Sequence, residues 1–222
     1  MVIQLHIEGG SSKNQDIDMR RAFRAFFVQL DQAARSQRSS LTLTLHGTRG
    51  EAYSQFCHAL EYKPETYHVL LVDSEDPVQH PGECWRHLRE READGWERPG
   101  GVEEAQCQLM VEAIESWLFA DPDCLAGYYG TDFQKGSLPS RRNVEEIPKQ
   151  EHLVKLQAAT RHTQKGVYHK TRHLPDLLRT ISTQKVRERA EHCDRLFVNL
   201  SQKLGAPHPT AHPSSSSSDF AE

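Results

Sequence analysis

Four acids at two predicted strand ends are the residues of this chain best placed to do chemistry. Tyr67-His68-Val69-Leu70-Leu71-Val72 is an apolar, β-branched run that stops at Asp73-Ser74-Glu75-Asp76. Val69 to Val72 is continuous rather than alternating, which predicts a strand buried on both faces of a parallel sheet. In open α/β sheets the ligand site lies at the carboxyl ends of such strands. Asp73, Glu75 and Asp76 would stand there, and carboxylates suit a hard cation, Mg²⁺ or Mn²⁺. A polar turn leaving a strand is the alternative. The weight shifts to the metal because Val2-Ile3-Gln4-Leu5-His6-Ile7 ends the same way, in Glu8-Gly9-Gly10. Glu8 is thus a second strand-end acid beside the first cluster.

The elements that must position these acids follow from periodicity. Met19, Ala22, Phe23, Phe26, Phe27 and Leu30 recur at three- and four-residue steps, predicting a helix from Met19 to about Ala34. Ser11 to Asp18 is polar and loop-like, with Asp16 or Asp18 suited to cap that helix. Leu41-Thr42-Leu43-Thr44-Leu45 alternates strictly as a strand, and a helix from about Gly50 to Leu60 follows. Strand and helix in alternation up to Val72 make two β-α-β units of a parallel sheet. Arg49, at the start of the second helix, suits a phosphate by its fork of donors and the free amides beside it, or else pairs with a carboxylate. Residues 80–101 are rich in charge, proline and glycine and are expected to form a mobile connection close to the acids. A short strand from Cys107 to Val111 leads into Glu112, Glu115 and Trp117 at the start of a helix. Glu112 and Glu115 are three apart and would share a face, so one could complete a two-metal site or equally be a plain surface acid.

Further along, a helix with Leu153 and Leu156 on its apolar side runs to about Thr160. A basic loop with Lys165, Tyr168, Lys170 and Arg172 comes next, and Pro175 begins a short helix. Val186, Ala190, Cys193, Phe197, Leu200 and Leu204 predict one continuous last helix, stopped by Gly205. From Ala206 the Pro-, His- and Ser-rich tail is expected to be disordered. The organisation expected is therefore a core over 1–130, a basic helical part over 131–205 packed on it, and a tail over 206–222.

Strand-Glu-Gly early in the chain followed by strand-Asp-x-Asp/Glu resembles the Toprim domain of topoisomerases, primases and related nucleases. The matching residues are Glu8, Asp73 and Glu75. That resemblance implies a glutamate acting as general acid/base or ligand and an acidic pair holding Mg²⁺. The second acid is Glu rather than the commoner Asp, which leaves Glu75 and Asp76 as alternative ligands. A wider resemblance runs from about Val2 to Leu204. His46-Gly47-Thr48-Arg49-Gly50-Glu51-Ala52-Tyr53-Ser54-Gln55-Phe56 is similar to a signature of a bacterial, Toprim-related family catalogued as domain of unknown function 4276. So are Gln108-Leu109-Met110-Val111-Glu112-Ala113-Ile114-Glu115-Ser116-Trp117-Leu118-Phe119-Ala120-Asp121 and Lys165-Gly166-Val167-Tyr168-His169-Lys170. The fold implied is α/β, a Toprim-like, mainly parallel sheet flanked by helices with a C-terminal helical extension. Relatives in this family often accompany an ATPase, which implies a bacterial anti-phage role with a separate ATPase subunit as partner.

Composition narrows the classes. The net charge of −4 conceals an asymmetry. Residues 1–134 carry 12 Lys+Arg against 22 Asp+Glu, or −10; residues 135–205 carry 15 against 7, or +8. An acidic part beside a basic part fits a metal site next to a phosphate-binding surface, in which Arg49, Lys165, Tyr168 and Lys170 would contact nucleic acid. Ordinary solvated helix faces are the alternative. The 5 cysteines are scattered without a Cys-x-x-Cys pair, so neither a disulfide framework nor a zinc ribbon is expected, and a reducing cytoplasm is the simplest location. No apolar run has membrane-spanning length, and no leader is recognisable. The phosphate loop of ATPases and the Gly-x-Ser-x-Gly elbow are both missing. The expectation is Mg²⁺-dependent phosphodiester cleavage on nucleic acid, alone or as an oligomer. The alternative is a Toprim-like subunit that does not catalyse and serves binding or assembly in an ATPase complex.

Overall fold

A computed structural model describes residues 1–9 and 13–206, with the side chains of 13–16 left out. Gly10, Ser11 and Ser12 of the glycine-rich turn, and the tail from 207, lie outside the described residues. Four strands, β1 (Val2–Glu8), β2 (Ser40–His46), β3 (Tyr67–Asp73) and β4 (Cys107–Met110), form one sheet in the order β2-β1-β3-β4. Every neighbouring pair is parallel, so the sheet is the α/β arrangement that the two β-α-β units require. Helices α1 (Lys13–Phe26) and α2 (Val28–Ser36) connect β1 to β2, and α3 (Arg49–Tyr62) connects β2 to β3.

Side chains of successive strand residues leave on opposite faces, and β3 shows what that does to the core. Val69 and Leu71 join the larger cluster with Phe23, Phe26, Phe27 and Trp117. Leu70 and Val72 join the smaller one with Phe56, Trp85 and Leu88, beneath α3 and α4 (Cys84–Glu90). Both faces are covered, so β3 is apolar from Val69 until Asp73. Phe26 stacks on Trp117 at 4.9 Å between ring centroids, and burying rings of this size contributes roughly 1.5–3 kcal/mol each.

After β4 comes a 3₁₀ segment, Ile114–Ala120, and then α5 (Pro122–Tyr129), α6 (Lys149–Thr160), α7 (Lys170–Thr180), α8 (Thr183–Arg189) and α9 (Glu191–Leu204). The larger cluster includes Leu174, Leu177, Phe197 and Leu200 of these late helices together with Ile3, Leu5 and Ile7 of β1. Among the described residues no helix is long and apolar enough to cross a membrane.

Several helix expectations need correction. The first helix begins at Lys13, with Asp16 and Asp18 inside it rather than capping it. Ile17 and Asp18 are exposed, so this turn has no apolar face by which periodicity could register it. The helix also breaks at Phe27, and the carbonyl of Phe26 is bonded by the Thr183 hydroxyl at 2.9 Å. Leu153 is exposed while Leu156 is buried. Pro175 lies inside α7, which starts at Lys170. The last apolar stripe is carried by two helices, because Ala190 is extended (φ −137°, ψ 99°). The break has local compensation. Glu145 accepts the His192 amide at 3.0 Å, and Arg189 donates to the Phe119 carbonyl at 2.8 Å. Apolar spacing continues across Ala190, so the sequence pattern does not register the break.

Candidate metal centre

The site is built where β1 and β3 end side by side. Their parallel register pairs Ile7 with Leu71, which brings Glu8 and Asp73 to the same edge of the sheet. The Asp73 amide donates to Glu8 Oε2 at 3.0 Å. Asp73 Oδ1 accepts the Ile114 amide at 2.9 Å, so the turn after β4 fixes its rotamer. Beyond β3, Glu75 adopts a left-handed backbone (φ 68°), a conformation that non-glycine residues enter at a cost and that turns the chain sharply. One carboxylate oxygen from each of Glu8, Asp73 and Glu75 lies within 4.8 Å of the others. All three ligand atoms are oxygen, the donor set for a hard divalent cation.

Burial opposes charge here. It raises the Glu8 carboxyl above its ordinary value, although Arg49 and the Asp73 amide pull the other way. It pushes Asp73 up to about 7 despite the neighbouring Lys170 ammonium, and the Glu8 and Glu115 charges add to the rise. Carboxylates so placed need cations, and three basic side chains are present. Arg49 Nη1 lies 3.4 Å from Glu8 Oε2 and also donates to the Asp73 carbonyl. Lys149 pairs with Glu75. Lys170 Nζ lies 3.0 Å from Glu115 and 3.9 Å from Asp73. Burial works against the Lys170 ammonium, but Asp73 and Glu115 outweigh it and hold its pKa above the ordinary lysine value.

Each residue singled out from the sequence has a definite place. Glu75, rather than Asp76, stands in the trio; Asp76 is exposed and pairs with Arg91 at 2.7 Å. Glu112 and Glu115 stand beside the trio and do not share a helix face. Glu112 precedes the 3₁₀ segment in a left-handed conformation (φ 61°), and its carboxylate accepts the Lys149 amide at 3.0 Å. Burial raises the Glu112 carboxyl as well. Arg49 is at the expected edge with both terminal nitrogens engaged, while its buried Nε has no partner among the described residues. It pairs with Asp94 in addition to Glu8, and its guanidinium lies 5.2 Å from the centre of the Trp96 ring. Lys170 folds back to the acids from the first position of α7. Lys165 is exposed, with its ammonium 4.4 Å from the Tyr128 ring centre. Tyr168 is buried, its hydroxyl lacks a hydrogen-bond partner among the described residues, and burial followed by the Glu115 charge raises its phenol.

Lys149, Asp94 and Trp96 escaped sequence reasoning. Asp94 and Trp96 belong to the segment expected to be a mobile connection; it is instead tied to Arg49, and Arg91 adds a second bond to Asp94 at 3.1 Å. A further device joins the strands behind the acids. His68 Nε2 meets the Lys63 carbonyl at 3.1 Å, His68 Nδ1 meets His6 Nε2 at 3.1 Å, and His6 Nδ1 meets His46 Nε2 at 3.2 Å. The carbonyl can only accept, so His68 Nε2 carries a hydrogen. With neutral rings, His6 Nε2 then donates to His68 Nδ1 and His46 Nε2 donates to His6 Nδ1, the tautomers being assigned from the network. Burial, and after it the neighbouring histidines, lower His6 to about 3. Both nitrogens of His6 and of His68 are thereby occupied, so neither ring is free to ligate a metal.

The family model described as Domain of unknown function (DUF4276) matches residues 7–201. No curated protein and no solved structure matches the chain.

Proposed function

The chain belongs to the family catalogued as domain of unknown function 4276, and from the site it carries we propose a Mg²⁺- or Mn²⁺-dependent, Toprim-like phosphodiesterase acting on nucleic acid. The observation that carries this reading is the convergence of Glu8, Asp73 and Glu75 within 4.8 Å at the carboxyl edge of a parallel sheet. The donor set fits the cation: three carboxylates, no sulfur or imidazole, and burial that raises two of the three carboxyls. A bound Mg²⁺ would polarise a phosphodiester oxygen and lower the pKa of an attacking water. Asp73 and Glu75 would hold it. Glu8 would share it or accept the proton of the water, kept in place by Arg49 and the Asp73 amide. Lys170 would offset negative charge gathering at the reacting phosphate. Lys165, exposed and without a carboxylate partner among the described residues, would bind a backbone phosphate, a contact that positions without reading sequence.

The reading extends, through the family resemblance, to anti-phage defence in the bacterial cytoplasm beside a separate ATPase subunit. A second reading is a subunit that binds or assembles without catalysis. It draws on the fact that each acid of the trio already has a basic partner in Arg49, Lys170 or Lys149. One assay separates the two. Purified chain, with and without the ATPase, is incubated with labelled single- and double-stranded DNA and RNA. Cleavage is expected with Mg²⁺ or Mn²⁺ and none with EDTA. Glu75→Gln is expected to remove it, whereas Asp76→Asn, changing an exposed acid outside the trio, should retain more than about half, since changes of this kind disturb little. Metal-independent cleavage, or equal loss in both variants, would reject the proposed ligand set.

A further inference from the structure

We propose that Lys149 is the exchangeable cation of the site: its ammonium neutralises Glu75 in the metal-free protein and passes to a substrate phosphate when a divalent cation takes Glu75. The inference rests on the metal-dependent reading above and assigns a role to a residue outside its ligand set.

The three basic side chains around the acids are held to different degrees. Arg49 is fixed on four sides, by Glu8, the Asp73 carbonyl, Asp94 and the Trp96 ring. Lys170 lies between two carboxylates, Glu115 and Asp73. Among the described residues Lys149 has one side-chain partner, Glu75; both are partly open to solvent, at 36% and 25% exposure, as is Lys170 at 50%. The Glu75 side chain accepts no backbone amide among the described residues, whereas Glu8 holds that of Asp73 and Asp73 that of Ile114. Lys149 and Glu75 thus each depend on the other for their side-chain pairing among the described residues, whereas Arg49 and Lys170 have further partners.

The main chain of Lys149 is anchored independently of its ammonium. Its amide is held by the Glu112 carboxylate at 3.0 Å, and the Glu112 carbonyl accepts the Glu75 amide at 3.1 Å. The first residue of α6 is thus fixed beside Glu75 while a flexible four-carbon stem carries the charge. An ammonium cannot share a carboxylate with a divalent cation at no cost, since like charges a few ångströms apart repel. Metal at Glu75 would release Lys149 into an edge where a bound phosphodiester would supply new negative charge. Metal and polyanion would then bind with positive coupling through one side chain.

The test uses the full chain with Mn²⁺ and a phosphorothioate single-stranded oligonucleotide, each alone and together, by calorimetry. Lys149→Met is expected to bind Mn²⁺ alone about fivefold more tightly, because a competing cation held by a partly exposed pair has gone. The gain in oligonucleotide affinity that Mn²⁺ gives the unsubstituted chain should shrink by about tenfold, with affinity in EDTA little changed. Lys149→Gln should behave the same way and guards against an effect particular to Met. Unchanged or weaker Mn²⁺ binding in both variants, or undiminished coupling, would overturn the role of Lys149 alone. Absence of Mn²⁺ binding by the unsubstituted chain would instead remove the metal site and this role with it.

Discussion

Asp73→Asn is expected to abolish divalent-cation binding and to lower phosphodiester cleavage by about a thousandfold or more. Changes to groups that merely support a metal ligand already cost about 10–100-fold, and Asp73 is itself a member of the trio and its one buried acid. The fold should survive. Asparagine keeps an oxygen for the Ile114 amide, which Asp73 Oδ1 now accepts. Stability of the metal-free protein should rise at neutral pH. Burial raises Asp73 from 3.8 to about 7, so the folded state retains its proton while the unfolded chain loses it. With more protons bound in the folded state, stability falls as pH rises through that window. Below pH 4 both states are protonated and the difference vanishes. Melting temperature measured in EDTA should therefore decline between about pH 4 and 7, and the decline should be shallower in Asp73→Asn. A variant that still binds Mn²⁺, or that melts well below the parent at pH 8, would make Asp73 a structural residue.

Arg49→Ala carries the second large effect, and this one is on folding. Asp94 is only 4% exposed and Glu8 17% exposed in their side chains, and both pair with Arg49. Removing the guanidinium leaves Glu8 without its basic partner and Asp94 with Arg91 alone, and breaking a poorly hydrated pair typically costs about 3–5 kcal/mol. Arg49→Lys should recover only part of it, since an ammonium cannot reach Glu8, the Asp73 carbonyl and Asp94 with the geometry of a planar fork. Urea denaturation followed by far-UV circular dichroism reads the loss directly. A change below about 1 kcal/mol, the scale of exposed pairs, together with weakened nucleic-acid binding would favour a phosphate-binding Arg49.

How far the sequence anticipated the site depends on where each residue's signal lies. Glu8 and Asp73 were legible because each ends an apolar strand, and two strand ends of a parallel sheet meet at one edge. Lys170 was legible as part of a basic block, although the block was expected as a loop and Lys170 opens α7. Glu75 against Asp76 was undecidable from neighbours in sequence; the left-handed turn at Glu75 decides it by aiming one acid inward and leaving the other to Arg91. Lys149 and Asp94 gave no signal. They are polar residues in segments without periodicity, and only tertiary folding brings them to Glu75 and Arg49. The breaks at Phe27 and Ala190 were hidden because apolar spacing runs through them unchanged.

The central claim is that Glu8, Asp73 and Glu75 share a divalent cation, and anomalous diffraction from Mn²⁺-soaked crystals of the chain tests it most directly. The expected result is a strong manganese peak in contact with all three carboxylates, absent from identically soaked Asp73→Asn crystals. An empty cluster with Arg49, Lys149 and Lys170 still seated on the acids, or a peak bound only elsewhere on the chain, would contradict it.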